Sequence, residues 1–320
     1  MARCEAAEVA RVGIVGSGVI GGGWALHFLA QGLDVIAFDP HPDARAKLQR
    51  MVDSVWPSLE KLGLQPTASP DRLSFANCLE DAVVDVDVVQ ESTPEVLDAK
   101  VEIFRQMDAA AHIGTVLLSS TSGLSMTDMQ VGCAHPERTV VGHPFNPPYL
   151  IPLVEVVGGK KTKADAVNWA ASFYEHFGKR VVKLSKELPG FIASRLQEAM
   201  WREMLHMVAN DEATVQEIDD AIVYGPGLRW AIMGPGMTFH VAGGEGGMAH
   251  VLDHFGPSLK WPWTRLEAPE LTDELRRRMI EGCETEAGGR SIAELVRERD
   301  DTLIEILNLL DARRDLRTSS

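Results

Sequence analysis

Basic residues are in short supply. The 320-residue chain carries 31 Lys and Arg against 46 Asp and Glu, a formal charge of −15. Nucleic acids and anionic membrane surfaces are bound by clustered Lys and Arg, so neither is expected as a partner. Cysteine is scarce as well. Cys4, Cys78, Cys133 and Cys283 are scattered without paired spacing, which argues against a disulfide framework or a zinc site. They read as free thiols of a reducing compartment; no metal is expected, and the cytoplasm is the expected location. Residues 1–11 are short and mixed, with Arg3, Glu5, Glu8 and Arg11, and lack the apolar run of a signal peptide. One stretch, Val12 to Ala30, has hardly any charge and is about as long as a membrane span. It contains six glycines, however, and their spacing has another explanation.

What is present is the balance of an ordinary globular protein, 45% apolar and 24% charged, with enough chain for two domains that each bury a core. Val12-Gly13-Ile14-Val15 reads as a central parallel strand buried on both faces. It runs into Gly16-Ser17-Gly18-Val19-Ile20-Gly21, a G-x-G-x-x-G match at the head of a helical pattern that stops near Gly32. A second strand, Val35–Phe38, ends in Asp39. Gly16 permits a tight turn, Gly18 lets the backbone approach a pyrophosphate, and Gly21 lets the helix pack on the strand. Val19 and Ile20 open the helix, whose free N–H groups and positive dipole end suit phosphates. Asp39, 18 residues after Gly21, can accept from a ribose 2′-hydroxyl and would repel a 2′-phosphate. Pro40, His41 and Pro42 follow without an immediate Arg, which favours NAD over NADP.

Further strands are expected near Val86–Gln90, Thr115–Ser119, Thr139–Val141 and Leu153–Val157, with helices over Pro42–Leu62 and Asp98–Ala111 between them. Such alternation makes βαβ units and a doubly wound, mostly parallel, Rossmann-type sheet. Ligands of such sheets bind outside the carboxyl ends of the strands, which singles out the loops Glu91–Glu95, Ser120–Gly123 and His143–Tyr149. The last, with three prolines, is expected to be a stiff loop without regular structure. Glu155 lies in the apolar run Leu153–Val157, where a carboxylate is costly unless partnered. His143 is a reasonable partner. The pairing would fix the imidazole tautomer and make the ring a better proton acceptor.

Beyond about Lys186 the strand pattern stops. Phe191–Ala209 has the apolar spacing of a buried helix (Ile192, Leu196, Met200, Leu205), and Ile292–Leu310 repeats it. These stripes are expected to serve a core or a dimer interface. The fold expected is therefore α/β over residues 1–187, followed by an all-helical domain over residues 188–320 that closes on the substrate and supports a homodimer. The stretch from Gly227 to Trp263 is rich in Trp, Phe and Gly within a chain that is 6% aromatic.

The chain resembles the 3-hydroxyacyl-CoA dehydrogenase family over essentially its whole length. The resemblance is carried by Gly16–Gly21, Glu91-Ser92-Thr93-Pro94-Glu95, Ser119–Ser122, His143–Pro147, Leu153–Val157 and Pro189-Gly190-Phe191-Ile192. It implies that His143 is the catalytic base, Glu155 its partner and Ser122 a contact to the substrate oxygen. Glu95 and Lys100 would reach the nicotinamide end of the cofactor. One departure is Ser194, followed by Arg195, where the family commonly has Asn near the substrate carbonyl. This puts a standard acyl-CoA substrate in doubt more than the redox chemistry.

The segments Gly243-Gly244-Glu245-Gly246-Gly247-Met248 and Lys260-Trp261-Pro262-Trp263-Thr264 resemble most the branch of that family acting on L-carnitine, a 3-hydroxy acid with a trimethylammonium group. Such a cation cannot donate an N–H hydrogen bond and is held over aromatic faces. Phe145, Tyr149, Trp230, Phe255 and Trp261 are the candidate rings, with Asn146 and Ser194 beside them. Enzymes acting on L-gulonate or on short-chain 3-hydroxyacyl-CoA esters stay open as alternatives. So does a non-catalytic NAD-binding structural protein like lens λ-crystallin.

Overall fold

The structure, a computed structural model, describes residues 3–62, 64–210, 212–264 and 272–292, with 294, 295 and 298. The chain divides into two compact units, residues 1–196 and 197–320.

The first unit is built on one eight-stranded sheet. Its strands are β1 (Arg11–Val15), β2 (Asp34–Phe38), β3 (Leu73–Phe75), β4 (Val88–Glu91), β5 (Val116–Ser119), β6 (Thr139–Pro144), β7 (Leu153–Gly158) and β8 (Arg180–Lys183). They lie in the order β3-β2-β1-β4-β5-β6-β7-β8, all neighbours parallel except the antiparallel pair β6 and β7. Helices α1 (Val19–Ala30), α2 (Ala44–Leu62), α3 (Leu79–Val83), α4 (Leu97–Ala110), α5 (Met126–Met129) and α6 (Ala164–His176) connect them. Successive strand residues serve opposite faces. Val140, Val154 and Val156 join a core with Trp24, Phe28 and Phe173 from α1 and α6. Val141 and Val157 join another with Phe104, Met107 and Met129 from α4 and α5. A sheet covered on both faces needs the near-continuous apolar strands the sequence supplies.

The strand order reverses between β1 and β4, the switch point at which such sheets bind ligands. The α/β expectation therefore holds, as does the position of six strands. Two were missed. β3 and β8 are the edge strands, and their partly exposed residues carry no apolar run.

The helices of the second unit are α8 (Val215–Val223), α9 (Pro226–Trp230), α10 (Pro235–Ala242), α11 (Gly247–Phe255) and α12 (Asp273–Ala287). α8 begins with a reciprocal capping box between Thr214 and Glu217. Met237, Val241, Met248, Val251 and Cys283 form its small core. α7 (Ala193–Ala209) begins at the end of the first unit and lies mostly in the second. The expectation that α7 is a buried helix is corrected: none of its residues is buried, and Leu196, Met200, Trp201 and Leu205 are 41–57% exposed in the single chain. Its periodicity holds, but among the described residues nothing buries its apolar face. Most of the expected Ile292–Leu310 helix, including Val296, Leu303, Ile306, Leu307 and Leu310, lies outside the described residues. Among the described residues no helix is long and apolar enough to cross a membrane.

Candidate active site

β1 delivers the chain into the glycine turn. Gly16 has φ +88°, and a Cβ there would lie 2.7 Å from the Ser92 carbonyl oxygen. At Gly21 a Cβ would fall 1.8 Å from the Gly16 carbonyl oxygen. These two glycines are required by packing within the protein. Gly18 differs: a Cβ there would meet nothing within 4 Å. The open space in front of Gly18 and the uncapped N-terminus of α1 form a cradle suited to a pyrophosphate. Val19 is 64% exposed beside it, and Ile20 packs partly into the core.

Asp39 directly follows β2 and lies next to this turn. Its Oδ2 accepts from the Ser17 N–H at 2.8 Å and its Oδ1 from the His41 N–H at 3.0 Å, which leaves Oδ1 able to accept a ribose hydroxyl as well. A cleft of about 770 Å³ opens here, lined by Gly16, Gly18, Phe38, Asp39, Ser92 and Pro94. A second, of about 320 Å³, lies between Ser17, Asp39 and Lys47. The glycine cradle, the carboxylate and the cleft fit the phosphates and adenosine ribose of a dinucleotide.

The carboxyl ends of β4 and β5 carry a carboxylate network. Glu91 is fully buried; its Oε1 accepts from Lys100 Nζ at 2.7 Å and from the Thr93 N–H and hydroxyl at 2.6 Å each, and its Oε2 from the Ser119 hydroxyl at 2.6 Å. Glu95 Oε1 accepts from the Thr121 hydroxyl at 2.5 Å and from the Ser122 and Gly123 N–H groups at 3.0 and 3.1 Å. Burial works against the Glu95 carboxylate. The Thr121 hydroxyl, the Lys100 ammonium and the two N–H groups outweigh it and hold the carboxyl below its usual range. Lys100 was expected to reach the cofactor itself. At 1% exposure it has no surface to offer, and its ammonium lies between Glu91 and Glu95, 3.6 Å from the latter. Ser122 is exposed, and its hydroxyl is 3.4 Å from Glu95 Oε1. The sequence reasoning missed Glu91. A carboxylate right after the valine pair Val88-Val89 and Gln90 of a buried strand calls for a partner as strongly as Glu155 does.

His143 and Glu155 are brought together, in a different way from that expected. His143 is not in a loop but in β6, directly opposite Glu155 in the antiparallel register with β7. The ladder continues through Pro144, opposite Val154; a proline at the end of a strand costs the sheet little. Both side chains are buried, and His143 Nδ1 lies 2.9 Å from Glu155 Oε2. Glu155 Oε1 accepts from the Ile192 and Ala193 N–H groups at 2.9 and 3.0 Å, at the start of α7. These donors are aimed by the Pro189-Gly190-Phe191 turn, in which Gly190 (φ +68°) and Phe191 (φ +49°) are both left-handed. Such strain in a non-glycine residue persists where its surroundings fix it. Phe191 is 1% exposed, its ring 5.4 Å from that of His143. Burial alone would raise the Glu155 carboxyl; the bonds from His143, Ala193 and Ile192 prevail and hold it below its ordinary value. With Nδ1 engaged by a carboxylate, Nε2 is the ring nitrogen left for other partners.

Phe145 lies 4.8 Å from the His143 ring. Asn146 is exposed, Tyr149 packs against the core of the sheet, and Ser194 is half-buried in the first turn of α7. In the second unit Trp230 is half-buried at the end of α9, while Phe255 and Trp261 are 51% and 55% exposed. Phe255 meets His254 and Trp261 meets Trp263 edge to face. No ring contact joins Trp230, Phe255 and Trp261 to one another among the described residues. Nor, among these residues, is any group of three His, Cys, Asp or Glu placed to hold a metal.

Two family models match the chain. That of the 3-hydroxyacyl-CoA dehydrogenase NAD binding domain covers residues 11–188, and that of the 3-hydroxyacyl-CoA dehydrogenase C-terminal domain covers residues 190–283. Among curated relatives, the L-carnitine dehydrogenase of Streptomyces griseus is 62% identical over 96% of this chain and 91% of its own length. That of Pseudomonas aeruginosa is 51% identical over 95% and 94%. Among solved structures, an NAD+-dependent dismutase, the 5-dehydrogenase of 5-formyl-3-hydroxy-2-methylpyridine 4-carboxylic acid, superposes with a TM-score of 0.72. It is 26% identical, with 95% of this chain and 99% of that one covered. A 3-hydroxyacyl-CoA dehydrogenase of Archaeoglobus fulgidus shares the fold with a TM-score of 0.70 at 23% identity, covering 94% and 99%.

Proposed function

The chain belongs to the 3-hydroxyacyl-CoA dehydrogenase family and is an NAD-dependent dehydrogenase, and on that premise we propose that it oxidises L-carnitine at C3 to 3-dehydrocarnitine. The observation that carries the chemistry is the buried His143–Glu155 pair, 2.9 Å apart and locked by the Ile192 and Ala193 N–H groups. The substrate assignment rests on relatives of 48–62% identity, matched over more than nine-tenths of this chain, that are L-carnitine dehydrogenases.

Gly16, Gly18, Val19, Ile20 and Gly21 hold the pyrophosphate, Asp39 the adenosine ribose, and Glu95 the nicotinamide end, with Lys100 acting from beneath through Glu95. NAD, when bound, supplies the acceptor for the hydride that leaves C3. His143 Nε2 takes the proton of the 3-hydroxyl, and the Glu155 carboxylate stabilises the imidazolium that results. Ser122 holds the same oxygen. Phe145 and Tyr149, in the same unit as His143, are the rings that shelter the trimethylammonium in this reading, each face contributing roughly 0.5–2 kcal/mol; Trp230, Phe255 and Trp261 belong to the second unit and stay candidates for the same role. Asn146 and Ser194 bound the rest of the substrate. In this reading residues 1–187 serve the cofactor and residues 188–320 the substrate and the subunit contact. The chain acts in the cytoplasm as a homodimer, with the apolar face of α7 supporting the contact.

The test is NADH formation with L-carnitine, D-carnitine, L-gulonate and 3-hydroxybutyrate in separate wells. Turnover of L-carnitine alone is expected. Turnover of L-gulonate or 3-hydroxybutyrate instead would retain the His143 chemistry and discard the trimethylammonium pocket.

A further inference from the structure

The segment between β6 and β7, Phe145–Pro152, contains three prolines, Pro147, Pro148 and Pro152. Each lacks an N–H, and the Leu150 and Ile151 N–H groups both serve the Pro147 carbonyl, so the carbonyls of Pro148 and Ile151 are left to donors outside the segment. One side chain supplies them. Lys179 Nζ donates to the Pro148 carbonyl and, at 3.2 Å, to that of Ile151. Lys179 follows Gly178 (φ +82°) at the end of α6 and is 5% exposed. Its ammonium lies 5.1 Å from the centre of the Trp24 ring on α1, within reach of the ring's negative face. Pro148 rests on the same helix at Gly23, where a Cβ would come within 2.6 Å of its ring. The ammonium is thus held between α1 and the loop that follows the catalytic strand.

We propose that Lys179 is a positioning residue, clamping the Phe145–Ile151 loop so that its side chains hold the substrate against His143. The proposal rests on the dehydrogenase reading above. A buried cation with no carboxylate to offset it among the described residues is an expensive way to fill a core, and hydrocarbon contacts would fill it at less cost. Its three donors and its charge are what the carbonyls of a proline-rich loop require.

The arrangement carries a pH signature. Burial pushes the Lys179 ammonium down to about 8. The titratable groups around it are His27 on α1, which feels its charge, and Tyr174 on α6, stacked against Trp24; Tyr149 belongs to the loop it holds, and Arg180, next in the chain, is exposed. Burial and the Lys179 charge hold His27 neutral, and burial pushes the Tyr174 phenol well above its usual range. Raising the pH through about 8 therefore removes the charge of the clamp while His27 and Tyr174 keep their states.

The experiment compares wild type with Lys179→Met by hydrogen exchange at the Leu150 and Ile151 amides and by steady-state kinetics on L-carnitine. Both amides are bonded to the Pro147 carbonyl, at 3.0 and 2.9 Å. In the variant they should exchange about tenfold faster and KM should rise about tenfold, with kcat within about threefold and NAD affinity unchanged. Wild-type exchange in a folded variant overturns the clamp, and so does a loosened loop with KM unmoved. If the variant fails to fold, the wild-type enzyme decides: KM rising as pH passes about 8 supports the clamp, and a flat KM overturns it. If wild type turns over no hydroxy acid, the function assigned above fails, while the exchange measurement still tests the clamp.

Discussion

Replacing Glu155 by Gln tests the buried pair with almost no change of volume. The amide oxygen can go on accepting from the Ile192 and Ala193 N–H groups, so the start of α7 keeps its anchor. The amide nitrogen then faces His143 Nδ1, where Oε2 stood at 2.9 Å. An N–H there forces Nδ1 to accept, so the proton moves to Nε2, the atom that must take the substrate proton. Loss of a hydrogen bond to a charged group is worth about 1.5–3 kcal/mol, roughly 10- to 150-fold in rate. Locking the wrong tautomer can raise the loss toward about 10,000-fold. The assay is NADH formation across pH, with NAD affinity and thermal unfolding as controls for folding. A kcat within about threefold of wild type, in a folded variant, would refute the argument. The acid limb of stability offers a second reading. The Glu155 carboxyl is held below its ordinary 4.5 in the folded state. Its contribution is therefore complete above 4.5 and lost as pH falls through the lower folded value, and the glutamine variant should lack that part of the acid dependence.

Gly18→Ala should leave the melting temperature unchanged, since its Cβ meets nothing within 4 Å, while weakening NAD binding by about tenfold or more by filling the space a pyrophosphate approaches. Gly16→Ala should lower both, measured by calorimetry and cofactor titration. Glu91→Ala leaves the buried Lys100 ammonium with only the more distant Glu95 carboxylate, 3.6 Å away, and should cost about 3–5 kcal/mol in denaturant unfolding; a loss under about 1 kcal/mol would mean the Glu91–Lys100 pair is not buried as described. Asp39→Ala should raise the ratio of NADP to NAD turnover, because repulsion of the 2′-phosphate goes while Lys47 remains beside the cleft. An unchanged ratio would remove Asp39 from cofactor choice.

Much of this arrangement was legible in the residues because a buried sheet leaves a strong mark. Central strands are apolar on both faces and end in polar turns, so β1, β4 and β5 and the loops after them could be placed directly. Edge strands carry no such mark: Arg180-Val181-Val182-Lys183 alternates too little to separate from a loop. The prolines around Pro147 drew His143 into the loop, although a ladder tolerates Pro144 at its end. The positions of Lys100 and Lys179 were not legible at all. Lysine is almost always a surface residue, and only the folded chain shows which carboxylates or carbonyls enclose one. The stripe on α7 was read from its period, but periodicity reports which side is apolar and not what covers it.

The antiparallel pairing of His143 with Glu155 has a consequence for how such a protein can change. The two residues face each other because β6 and β7 are in register, and that register belongs to the ladder from Val140–Gly158 to Pro144–Val154. The connection between the strands does not set it. Residues can be added to, removed from or exchanged within Phe145–Pro152 without moving the base from its carboxylate, as long as the ladder holds. Reaction and recognition are thereby inherited separately. One scaffold can keep its proton chemistry through lineages in which the intervening loop is rewritten for a different acid.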